Sequence, residues 1–134
     1  MLKVLSAVML LAASGALAAQ GAPPVAAEPP SAGMSVAAFL ERLGTLSRSG
    51  PGWTKTPEAT QLFEAISGVG KAYRRDLEVR RAAGQPAEAC LPPTAEIDSD
   101  ELFAHFAGFA PEQARRTTIA EAFAGLVRQR FACP

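Results

Sequence analysis

Ala89-Cys90-Leu91-Pro92-Pro93, past the middle of the chain, and Phe131-Ala132-Cys133-Pro134, at its end, hold the only two cysteines, and the fold turns on how they are read. The prolines place Cys90 in a turn, because proline lacks the N–H that a helix needs. Two helical patterns lie between the cysteines. If the thiols are joined, the end of the chain is pinned back to its middle and the fold is a closed helical module. Whether they are joined depends on redox compartment, so the N-terminus is read next.

Met1-Leu2-Lys3 is a short positive start, Val4 to Leu17 is an apolar run, and Ala16-Leu17-Ala18 has the small residues a signal peptidase reads. Residues 1–18 are therefore expected to be a signal peptide and the mature protein periplasmic, with no stable membrane insertion after cleavage. The alternative is an uncleaved anchor. Against it, the run is short for a bilayer and carries Ser6, Ser14 and Gly15. No cysteine follows directly, which excludes a lipoprotein anchor. In an oxidising compartment two cysteines in a small domain pair, so a Cys90–Cys133 disulfide is expected.

With 134 residues the chain holds one domain at most. Loss of residues 1–18 removes Lys3 and no acid, leaving 12 basic and 13 acidic residues and a formal charge of −1. Such a balance supplies no long-range field for nucleic acid or an anionic membrane, so recognition must be local and shape-based. Residues 19–33 are rich in proline and alanine and read as a disordered linker. Residues 34–134 remain to fold. A domain of that size buries only roughly 60–65% of its unfolded surface, which gives a covalent staple value.

The periodicity predicts an all-α bundle of about four helices. Ser35 caps the first, Met34 can pack on Phe39, and Val36, Phe39, Leu40 and Leu43 form one stripe, with Gly44 as the stop. Gly44 to Thr56 is loop by its turn residues and contains Trp53, the only tryptophan. That ring either anchors a partner or lies over the end of the core. Thr56 caps the second helix, with Pro57 in its first turn. Its inner stripe is Leu62, Ile66, Val69, Tyr73 and Leu77. Gly68 and Gly70 imply a close approach or a kink. The charged run Lys71–Arg81 reads as a solvated face, with Arg74–Glu78 and Asp76–Arg80 pairs four apart. Asp98 caps the third helix, Glu101 reaches back to it and Ile97 meets Leu102. Leu102, Phe103, Phe106 and Phe109 face inward. Pro111 ends that helix or restarts the next. Thr117 or Thr118 caps the last helix, with Glu121 completing a box from Thr118.

Chemistry-bearing constellations are sparse. His105, the only histidine, follows Asp98, Asp100 and Glu101, but two of those acids already have capping roles, so no metal site is assigned. A Cys–His pair would need a free thiolate. No nucleophile motif, phosphate loop or paired-carboxylate spacing is present. The sequence therefore predicts neither an enzyme nor a cofactor.

Four stretches carry a resemblance: Ala65-Ile66-Ser67-Gly68-Val69-Gly70, Cys90-Leu91-Pro92-Pro93, Thr118-Ile119-Ala120-Glu121-Ala122-Phe123, and the terminal Phe131-Ala132-Cys133-Pro134. With the leader in front, the chain resembles the Rap/Tai family of type VI secretion immunity proteins over about residues 57–134. The resemblance implies a small, mostly helical periplasmic module that binds a cognate peptidoglycan amidase effector and occludes its active site. The chain departs from the pattern of many members in having no cysteine before Cys90.

On that reading the partner is a secreted cell-wall amidase, and the contact surfaces are loops: Trp53 with its neighbours, and the acidic turn carrying Thr94, Glu96, Asp98 and Asp100. The alternative is a periplasmic structural or accessory protein of the envelope with no toxin partner. That protein would use an apolar helix face and could form a homodimer.

Overall fold

The computed structural model describes residues 30–134. The expected signal peptide and most of the expected linker lie outside the described residues. Among the described residues the architecture is all-α, as the periodicity predicts, with five helices: α1 Val36–Ser47, α2 Pro57–Ala82, α3 Ser99–Ala107, α4 Pro111–Arg116 and α5 Ile119–Arg130, and a 3-10 turn at Trp53–Lys55. None is long and apolar enough to cross a membrane.

Local chemistry starts most of these elements. Ser35 Oγ accepts from Ala38 N at 3.1 Å, Thr56 Oγ1 from Ala59 N at 3.2 Å, and Asp98 Oδ1 from Glu101 N at 2.8 Å. At α5 the capping box is complete: Glu121 N donates to Thr118 Oγ1, and Thr118 N donates to Glu121 Oε2. Helix α2 ends in a Schellman turn, with Gly84 at φ 70°, Gly84 N bonded to Arg81 O and Gln85 N to Arg80 O.

Two local expectations are corrected, and the open choice at Pro111 is decided in favour of a new helix. Gly44 does not stop α1, which continues to Ser47. An interior glycine costs about 1 kcal/mol relative to alanine, and the packing of Leu46 on the core beyond it offsets that. Residues 111–116 form a helix of their own, because Ala110 before the proline is extended (ψ 148°) and Pro111 is pre-set for a first turn. Glu101 does not reach back to its own cap. Its carboxylate turns to the Arg130 guanidinium and ties α3 to the end of α5.

α2 is the spine. α1 packs on α2 and α4, and α5 packs on α2 and α3. Phe39 and Phe106, both fully buried, meet edge to face at 5.6 Å, with Leu62, Leu102, Ile119 and Leu126 around them. The helix starts of α1 and α5 are laced together by an isolated antiparallel bridge: Val36 N donates to Thr117 O at 2.9 Å and Ile119 N to Met34 O at 2.8 Å. Ala120 N also donates to Ala32 O at 3.4 Å, so the last linker residues dock on α5. Of the two glycines in α2, Gly70 is the close approach, since a Cβ there would lie 3.6 Å from Phe123 Cζ, whereas Gly68 faces open space.

Cys90 and Cys133 are joined, with Cα atoms 4.9 Å apart. The bond closes a segment that contains α3, α4 and α5.

Candidate functional site

Gly52, at φ 80°, turns the chain into the 3-10 turn that begins with Trp53. Thr56 Oγ1 donates to Trp53 O at 2.8 Å, tying that turn to the α2 cap. The Trp53 ring is half-buried, with its centroid 6.1 Å from that of Phe63. It lies over the end of the α1–α2 pair and keeps one side in solvent.

The acidic turn is built differently. Ala95 N donates to Pro92 O at 3.0 Å, closing a turn after the disulfide. Arg74, reaching from α2, donates through Nη2 to Ala95 O at 3.1 Å. This replaces the expected Arg74–Glu78 pair: the guanidinium satisfies a loop carbonyl instead of lying along its own helix. Asp98 then caps α3. Thr94, Glu96, Asp98 and Asp100 are all exposed. The ion pairs among the described residues involve none of Glu96, Asp98 and Asp100. Three carboxylates thus face water on a segment held by the disulfide, the Arg74 bond and a helix cap. Pre-ordering of this kind lowers the entropy lost on binding.

The structure does not bring the two groups together. Phe63, under Trp53, and Arg74, under Ala95, are separated by about 16 Å of helical rise. They are two surfaces at different levels of α2.

A third cluster extends the predicted Asp76–Arg80 pair through contacts that have no local signal in the sequence. Glu88 approaches Arg80 at 3.5 Å and Arg128 at 3.6 Å, bridging α2 and α5, while Arg80 also holds Asp76 at 2.8 Å. Beneath lies Tyr73, its ring edge-on to Phe123 at 5.9 Å and its buried hydroxyl without a hydrogen-bond partner. Burial first, and the nearby Glu88 carboxylate second, push its pKa up from the ordinary value.

His105 Nε2 donates to Ala122 O at 3.1 Å, and its ring meets Phe109 edge to face at 5.3 Å. The histidine thus joins α3 to α5. Among the described residues no group of three or more His, Cys, Asp and Glu side chains could hold a metal ion. The fold defines a small helical module closed by a disulfide, with two separate loops that reach solvent. Set against protein-family models, curated proteins and solved structures, the chain matches none.

Proposed function

We propose that the protein is a periplasmic immunity protein of the Rap/Tai type, which binds a cognate peptidoglycan amidase delivered by type VI secretion and occludes its active site. The observation that carries the reading is the acidic turn, whose exposed Glu96, Asp98 and Asp100 are uncommitted to ion pairs and stand on a braced segment. An exposed, charged loop held at both ends suits contact with a partner, where charge complementarity sets rate and specificity. Trp53 supplies a separate apolar contact at the other level of α2. A binding role, not catalysis, is further supported by the engagement of His105 with Ala122 O and of both cysteines with each other.

A second reading is an envelope accessory protein that associates through a helix face. It draws on Val79, which is 61% exposed on α2. Co-purification of the mature chain from periplasm, with identification of what it retains, separates the two. The immunity reading expects a cell-wall amidase whose activity the bound protein suppresses, and the E96K/D100K variant is expected to lose both retention and suppression. Recovery of no hydrolase, together with cells that stay resistant to every sister-cell effector after deletion, rejects it.

A further inference from the structure

The segment from Gln85 to Ile97 has no regular structure and crosses the far half of α2 and the last turns of α5. It belongs to the protein differently from the helices. The main buried core contains no residue between Ala83 and Glu96, and Ile97, where the segment ends, packs against that core. Ala89 is only 3% exposed, yet stands outside that core. Leu77 on α2 and Val127 on α5 share this position, buried but apart from the main cluster. They lie on the two helices that Glu88 bridges. The segment thus lies as a strap over the α2–α5 junction, beside residues that are buried but stand apart from the main core.

Few bonds hold the strap. Cys90 N donates to Phe131 O at 2.8 Å, Arg74 donates to Ala95 O, and Glu88 makes its two longer ion pairs with side chains well exposed to water. Solvent-exposed pairs contribute little, and the conformational entropy of more than a dozen irregular residues opposes them all. The disulfide is the one strong attachment, and both of its cysteines are exposed. Under the strap, the Tyr73 hydroxyl is shut away from water with nothing to bond, a cost that opening would relieve.

We infer that the Cys90–Cys133 bond is a redox latch: a dithiol that reduces it frees residues 85–96 of the strap and uncovers the α2–α5 junction around Tyr73 while the main core stays folded. The chemistry is thiol–disulfide exchange. One thiolate of the dithiol attacks Cys90 or Cys133 Sγ and forms a mixed disulfide, and the second thiol resolves it. The dithiol leaves as a disulfide, and two electrons and two protons end on the two cysteine thiols. The latch stands independently of the immunity reading and needs no amidase partner.

Amide hydrogen exchange on the full protein, with and without dithiothreitol, tests the latch. Reduction is expected to speed exchange at the Cys90 and Ala95 amides by about ten-fold or more, while Phe39 and Leu102 stay within about two-fold. The Tyr73 ionisation midpoint is expected to fall toward the ordinary tyrosine value as its hydroxyl regains water. The C90S/C133S variant should give the same pattern without reductant. Unchanged protection at Cys90 overturns the latch, and so does acceleration at Phe39 and Leu102 equal to that in the strap, which would mean the whole domain opens.

Discussion

Unlinking Cys90 from Cys133 has an effect whose size can be worked from the structure. The bond joins residues 43 apart. In the chain-entropy account, opening a loop of that length returns about 4 kcal/mol of freedom to the unfolded chain. On the native side the loss is small, because both cysteines are exposed and serine can stand at either position without leaving a cavity. A domain of this size has a total stability of roughly 5–15 kcal/mol, so the bond is a large share of it. At about 4 °C per kcal/mol, the C90S/C133S variant should melt about 15 °C below the parent. Urea unfolding followed by far-UV circular dichroism provides the equilibrium value. Its m-value should rise, because an unlinked chain exposes more surface when it unfolds. Strap release in the folded variant would trim the loss below the loop figure. Coincident midpoints would refute the reasoning, and a loss well above 4 kcal/mol would show that the bond supports native contacts instead of restricting the unfolded chain.

Three further outcomes follow from particular residues. Gly68→Ala should stabilise by up to about 1 kcal/mol, since the site is helical and a methyl there meets nothing within 4 Å, whereas Gly84→Ala should cost about 1 kcal/mol because Gly84 sits at φ 70°; denaturant midpoints of opposite sign check both. The bonds from Thr118 hold the Glu121 carboxyl below its ordinary pKa of 4.5. A depressed folded-state pKa contributes stability above the unfolded value, and that contribution disappears as pH falls through the folded one. Parent and Glu121→Gln midpoints should therefore differ at about pH 7 and converge under acid, and a gap constant with pH would refute the role of that charge.

The caps were legible because each is a bond across three residues. Ser35, Thr56 and Asp98 cap as the sequence predicts, and of Thr117 and Thr118 it is Thr118 that caps α5. Asp76 and Arg80, four apart, also pair as read. Arg74 shows where the local rule fails. It has a carboxylate four residues on, yet a carbonyl 21 residues away offers it a half-buried partner. Glu101 fails similarly, drawn from its own helix start to Arg130. In both cases a partner brought in by the fold outcompetes an exposed local one, whose pairing is worth only a few tenths of a kcal/mol. Of the candidate surfaces, the sequence supplied the residues but not their separation along α2.

By itself, then, the sequence determined the helical class, the cap positions and, through its only two cysteines, the closure of the chain on itself. Each rests on periodicity, on bonds within one turn, or on there being a single possible pairing. Only the tertiary structure decided that α1 runs past Gly44, that the starts of α1 and α5 are bridged through Ser35 and Thr118, and that the strap is held by Glu88 and Arg74. These contacts join residues far apart in the chain, and whether they form depends on the packing of all the helices together, which no short stretch of sequence encodes.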